Sequence, residues 1–223
     1  VEGRKAPTES KHKIHKRPAA QVCKETEKVK MTDKLISVVM PTSSRQHTHD
    51  SLVRALRSIK DTATDFSKIE LCLRIDDDDK ERIGRIPELE GQFNVKSFIG
   101  PRFDGYNSMC VFLDDLAKIA TGRWSWLFDD DAYIEGDWQK PLETIPCSDD
   151  GPAVNAEFYC LGLSRYSNWP KCSPPGLIMP TSVIKRLQHR SPVDDQWLSL
   201  ALQLNWKIVL LKGVSYFHDG QAR

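Results

Sequence analysis

Two apolar stretches of this sequence run directly into blocks of adjacent aspartates. Residues 69–75 lead into Asp76-Asp77-Asp78-Asp79, and residues 124–128 lead into Asp129-Asp130-Asp131. A short apolar run with no polar alternation reads as a strand buried on both faces, the pattern of parallel sheets covered by helices. Neighbouring carboxylates repel one another unless a cation or a hydrogen-bonding ligand compensates them. In open α/β sheets, ligands bind beyond the carboxyl ends of the strands. Acidic blocks at two such ends therefore predict an α/β chain whose binding edge is negatively charged.

The first half of the chain fits this frame. Leu35-Ile36-Ser37-Val38-Val39-Met40 is another apolar run, stopped by Pro41. Residues 50–60 place Leu52, Val53, Leu56 and Ile59 on one helical face and Arg54, Arg57 and Lys60 on the other. Residues 95–99 form a third strand, ended by Gly100-Pro101. Asn107 or Ser108 caps a helix bearing Val111, Phe112, Leu116, Ile119 and Ala120, with Gly122 expected to close it. The β-α-β-β-α-β order implies a mostly parallel, Rossmann-like sheet flanked by helices. The second half is less regular. Residues 153–161 are strand-like, and residues 168–176 read as a loop. Ser191-Pro192-Val193-Asp194 is a helix start with the spacing of a capping box. Two separate apolar runs, 207–211 and 214–217, precede His218-Asp219.

A formal net charge of +1 conceals an asymmetry. Residues 1–34 hold ten Lys/Arg and five Asp/Glu, whereas the remainder holds 22 and 26. The basic arm lacks apolar periodicity and is expected to be disordered, an upstream extension with Met31 as the expected natural start, the alternative being an arm that docks on an anionic partner. Residues 35–223 are expected to form a single domain. The arm has no interleaved aromatics, so a nucleic-acid partner is not expected. An acidic body with clustered aspartates suits a divalent cation better. No run approaches the roughly 18 apolar residues of a membrane span, and the first residues lack an apolar signal region. The six cysteines form no C-x-x-C pair and read as reduced residues of a cytoplasmic protein, with Cys160 and Cys172 able to pair only under oxidising conditions. The basic arm leaves peripheral membrane attachment open.

Asp129-Asp130-Asp131 is the sharpest candidate site. In a strand-end turn, residues 129 and 131 can face the same side, one toward a sugar hydroxyl and one toward Mg²⁺ or Mn²⁺, whose preferred ligands are oxygens. The alternative is a solvated acidic turn. The same alternative holds more strongly for Asp76 to Asp79, although the first two could accept hydrogen bonds from a nucleobase. Asp194 has a capping job, which leaves Asp195 free to act on a ligand, kept ionised by the helix N-terminus. His218 is a candidate nitrogen ligand beside the acidic cluster.

Residues 35–219 resemble the family 2 glycosyltransferases of the GT-A fold. Ser37-Val38-Val39-Met40-Pro41-Thr42 is similar to the family's first strand, and Leu73-Arg74-Ile75-Asp76-Asp77 to its second. The segment from Ala120-Thr121-Gly122 to Asp129-Asp130-Asp131 resembles the region of the metal-binding DxD motif. Asp194-Asp195-Gln196-Trp197-Leu198 takes the place of the Glu-Asp motif that opens the catalytic helix. Three positions depart from the pattern: Asp78-Asp79 stands for Gly-Ser, Asp194 for Glu, and Leu113-Asp114 for Arg-Asn. The resemblance implies metal-dependent transfer of a sugar from a nucleotide-sugar donor to a carbohydrate, lipid-linked or protein acceptor, with inversion. Pro41, Thr42, Asp76 and Asp77 would hold the nucleoside, and Asp129 and Asp130 the ribose or donor sugar. Asp131 and His218 would hold Mn²⁺ or Mg²⁺. Asp195 would take the acceptor's proton, and the 168–176 loop with Trp169 would wall the acceptor. Two other classes are weighed. A carbohydrate-binding protein without turnover shares the acidic edge. A haloacid-dehalogenase-type phosphatase needs its D-x-D on the first strand, followed two residues on by Thr or Val; here the cluster follows the fourth strand and Tyr133 stands there.

Overall fold

In the parallel half of the sheet, the three inner strands send alternate side chains into two different helix-covered cores. The computed structural model describes residues 33–103, 108–160, 176–186 and 201–218, with the backbone alone at 157–160. Strand β1 (Ile36–Thr42) pairs in parallel with β2 (Ile69–Asp76) and β4 (Trp124–Leu127), and β2 pairs in parallel with β3 (Val95–Gly100). Val38, Met40, Leu71 and Leu73 pack with Leu52, Leu56 and Ile59 of helix α1 (His49–Thr62). Val39, Cys72 and Leu127 face the other way, onto Leu113 and Leu116 of helix α4 (Met109–Ile119). Every residue of β2 is buried, which explains its unbroken apolar pattern. Helix α1 begins where Thr48 accepts a hydrogen bond from Ser51 N at 3.2 Å. The short helices α2 (Lys80–Gly84) and α3 (Ile86–Gln92) fill the β2–β3 crossover.

Gly122 serves a purpose other than the expected one. Helix α4 already ends at Ile119, with Ala120 as its cap. A Cβ on Gly122 would lie 2.6 Å from backbone atoms of Ile36 and Ser37, so glycine allows the turn before β4 to press against β1. The buried Glu70 carboxylate secures this turn. It accepts from Ser37 Oγ at 2.5 Å, Thr121 N at 2.5 Å, Thr121 Oγ1 at 2.8 Å and Lys96 Nζ at 2.5 Å. Burial pushes the Glu70 pKa up, but these partners outweigh it and hold it below the ordinary carboxylate value.

The second half departs from a parallel sheet. The full strand order is β3-β2-β1-β4-β7-β6-β8-β5, with β5 spanning Ala132–Glu135, β6 Ala153–Cys160, β7 Leu177–Pro180 and β8 Ile208–His218. β7 runs antiparallel to β4 and β6, and β5 runs antiparallel to β8; only β6–β8 is parallel. Helix α5 (Gln139–Thr144) follows β5, and helix α6 (Thr181–Arg186) follows β7. The two apolar runs near the end form one bulged strand. Leu211 pairs with Ala156 and Ser215 with Glu157, which leaves residues 212–214 extra, and Gly213 adopts a φ of +76°. Val209 and Leu211 join the α1-side core before the bulge; Val214 and Tyr216 join it afterwards.

Residues 201–203 are helical. The Ser191–Asp195 helix start, Trp169 with the 168–175 loop, Asn107 and the basic arm with Met31 lie outside the described residues, as does Cys172. Cys72, Cys110 and Cys147 are free thiols. Among the described residues, no helix is long and apolar enough to cross a membrane.

Candidate active site

A packed set of aromatic rings supports the Asp129–Asp131 turn. Trp126 meets Trp138 at 5.1 Å and Phe128 at 5.3 Å, and Phe128 meets Tyr216 at 4.8 Å, all edge-on and all fully buried. The Phe128 N–H still bonds to Val39 O, at 3.1 Å, so the chain leaves the sheet just as the aspartates begin. Tyr216 then grips the first of them. Its hydroxyl accepts from Asp129 N at 2.9 Å and donates to Asp129 Oδ2 at 3.1 Å. Burial, with the Asp129 charge adding to it, raises the phenol pKa well above its ordinary value, so it stays a donor.

Asp131 is 5% exposed, and its Oδ1 atom is buried without a hydrogen bond. His218 Nε2 lies 3.2 Å from that oxygen, outside hydrogen-bond geometry, and 3.6 Å from Asp129 Oδ2. Ligand atoms of Asp129, Asp131 and His218 all fall within 4.8 Å of one another. A buried carboxylate oxygen with no donor is costly unless something positive meets it. Two carboxylates and one imidazole form a donor set that fits a divalent cation, and the orphaned oxygen supplies the vacant lone pairs.

Asp130 turns the other way. It accepts from Thr42 Oγ1 at 2.6 Å and from Ser43 N at 3.4 Å, with Arg82 Nη2 3.8 Å away. Burial raises its pKa, opposed by His47, Thr42 and Arg82. Thr42 and Asp130, both expected at the donor, therefore bond to each other inside the protein. His47 is a site residue that the sequence reading missed. Its Nε2 is 3.7 Å from Asp130 Oδ1 and its Nδ1 is 3.7 Å from Asp131 Oδ2. The available signal was its position in the polar segment directly after Pro41-Thr42, at the end of a central strand.

The second acidic block is met largely by cations of the chain itself. Asp76 bonds to the Arg74 guanidinium through Oδ1, and Arg45 Nη1 lies 3.5 Å from its Oδ2. Asp78 pairs with Arg45 at 2.7 Å and Arg102 at 3.6 Å. Asp79 caps α2 and accepts from Ser44 N at 2.7 Å, Ser44 Oγ at 2.5 Å and Arg82 N at 3.1 Å. Burial works against ionising Asp79, but these bonds win and lower its pKa. Asp77 is exposed, with its backbone N–H bonded to Gly100 O at 2.9 Å. Arg82 also donates to His47 O at 2.9 Å, so the segment after β1 joins the two acidic blocks. Pro41, Thr42, Asp76, Asp77 and the 129–131 cluster thus share one end of the parallel strands, with His218 beside Asp131. Asp195 lies outside the described residues.

No family model and no curated protein matches the sequence. Solved structures do match. S. aureus TarS 1-349 aligns with a TM-score of 0.61 at 14% identity over 82% of this chain and 60% of that one. The same TarS fragment in complex with UDP-GlcNAc aligns with a TM-score of 0.61 at 15% identity, over 85% of this chain and 59% of that one. A UDP complex of the fragment aligns at 0.60 and 14% identity, with 82% and 60% covered. The chain therefore spans about 60% of the TarS fragment. TarS is a glycosyltransferase, and this chain has a GT-A-like glycosyltransferase fold.

Proposed function

We propose that the chain is a metal-dependent family 2 glycosyltransferase that moves a sugar from a nucleotide-sugar donor to an acceptor. The observation that carries this reading is the buried, unbonded Asp131 Oδ1 facing His218, at the strand end of a fold shared with TarS. TarS forms complexes with UDP and UDP-GlcNAc, which supports a uridine diphosphate donor here. Asp131, Asp129 and His218 would hold Mn²⁺ or Mg²⁺, making Asp129-Asp130-Asp131 the DxD motif. When bound, the cation would supply Lewis-acid stabilisation of the leaving diphosphate. Tyr216 fixes Asp129, and Asp130 with Thr42 fixes the backbone on which the ligand residues sit. Asp76 and Asp77, with Pro41, line the nucleoside end. Asp195 would accept the proton of the incoming hydroxyl, which makes the transfer inverting.

Release of UDP from UDP-sugars is the direct test, measured with Mn²⁺ or Mg²⁺ and after chelation. The expected result is cation-dependent release that rises with an added acceptor and falls by about 10²–10⁴ in Asp195→Asn. Sugar affinity with no nucleotide release under any condition would replace this reading with that of a carbohydrate-binding protein.

A further inference from the structure

We propose that Arg74 sets how the donor's base is read, by committing one oxygen of Asp76 and leaving the other to the ligand. The proposal rests on the reading of Asp76 as a nucleoside contact. Arg74 is 2% exposed, a cation within a buried strand whose other charged residues are Glu70 near its start and Asp76 at its end. Such a group is tolerated only where its plane is matched by partners. Nη1 donates to Asp76 Oδ1, and Nη2 donates to Pro101 O just beyond β3. Nε lies 3.6 Å from Asp115 Oδ2, and the guanidinium stacks 4.4 Å from the Phe112 ring centre, both on α4. Gly100 leaves it room, since a Cβ there would stand 3.3 Å from Nη2. The guanidinium is therefore held by β3 and α4 and cannot follow Asp76 if the carboxylate turns.

The consequence is a carboxylate with one oxygen assigned. Its other oxygen, Oδ2, faces Arg45 at 3.5 Å, a long contact to a partly exposed side chain whose closer partner is Asp78 at 2.7 Å. A guanine edge offers two adjacent N–H donors and pairs best with both oxygens of a carboxylate. Uracil offers one ring N–H between two carbonyls, which a single oxygen satisfies. Arg74 is thus a positioning residue that favours a base with one such donor. It acts through Asp76 and touches neither the diphosphate nor the cation ligands.

Titration calorimetry of UDP and GDP, with Mn²⁺ binding followed by electron paramagnetic resonance, tests this on the full chain. The wild type is expected to bind UDP at least about tenfold more tightly than GDP, a difference near 1.4 kcal/mol. Arg74→Gln should weaken UDP about tenfold, bring the UDP/GDP ratio toward one and leave Mn²⁺ affinity unchanged. Arg74→Lys keeps the charge without the fork, so it should recover part of the loss and serves if the glutamine variant fails to fold. Unchanged UDP affinity and ratio in a folded variant overturn the proposal. So does a parallel loss of Mn²⁺ affinity, which marks general damage. A wild type that prefers GDP overturns this inference alone. A wild type that binds neither nucleotide overturns the proposed function, and this inference with it.

Discussion

The two acidic blocks look alike in sequence and differ in what neutralises them. Asp76, Asp78 and Asp79 are met by Arg74, Arg45, Arg102 and the donors of Ser44 and Arg82. Arginine stays charged at any working pH, so this compensation is permanent. Asp129 and Asp131 are met by histidine, a tyrosine hydroxyl and one main-chain contact from Arg54, and Asp131 keeps an oxygen without a hydrogen bond. One block is balanced largely by the chain's own cations and becomes architecture, with Asp77 and Asp78 at the surface. The other is left short of positive charge, and that shortfall is what a metal ion would fill.

The largest effect that sharpens this contrast is expected from Asp131→Asn. Metal-dependent turnover should fall at least about 100-fold while the fold persists, because a neutral amide replaces the carboxylate whose oxygen lacks a hydrogen bond. Activity and circular dichroism together check it. Full metal dependence in the variant would break the contrast. His47→Gln comes next. It removes the imidazole that faces both Asp130 and Asp131, and Mn²⁺ affinity should drop about tenfold with little change in melting temperature.

In the other block, Asp79→Ala should cost about 1–3 kcal/mol by leaving the α2 cap and the Ser44 N–H unpaired, with Mn²⁺ affinity retained. Denaturant unfolding reads this directly. The same residue sets a pH dependence. Its folded-state pKa lies below the ordinary carboxylate value, so its stabilisation is complete above that ordinary value and disappears as pH falls through the depressed pKa. Asp79→Asn should flatten that acid limb. The smallest effect belongs to Asp78→Asn. Asp78 is exposed and its ion pairs with Arg45 and Arg102 lie at the surface, so the melting temperature should not move measurably.

Much of the parallel half was readable because burial on both faces leaves a continuous apolar run, and each such run became a strand. The acidic blocks stood out for the same reason, as charge where the pattern predicts none. Their partners were hidden by distance along the chain. Thr42 meets Asp130 and Ser44 meets Asp79 only once β1 lies between β2 and β4. Arg74 carried a signal of its own, since a cation in the run Leu71-Cys72-Leu73-Arg74-Ile75 requires buried partners, but apart from Asp76 those partners sit just beyond β3 and on α4. Strand direction in the second half was not readable, because apolar content records burial and not which neighbour a strand will take. The proposed base, Asp195, lies outside the described residues, so its relation to the cluster rests on the resemblance.

The bulge in β8 also decides which side chain reaches Asp129 and Asp131. Side chains on a strand alternate, and an insertion of three residues reverses the alternation. Leu211 faces the core before it, and Val214, Tyr216 and, by the same alternation, His218 share that face after it. A regular ladder continued from Leu211 would set Gly213 across from Phe158 and Ser215 across from Cys160, where Tyr216 and His218 now stand. The tolerance of this segment to length changes should therefore depend on whether the bulge or the ladder absorbs them. Loss of residues from 212–214 taken up by the bulge would leave Tyr216 and His218 on the rungs of Phe158 and Cys160, whereas a one-residue slip of the ladder would exchange their face for that of Ser215 and Phe217.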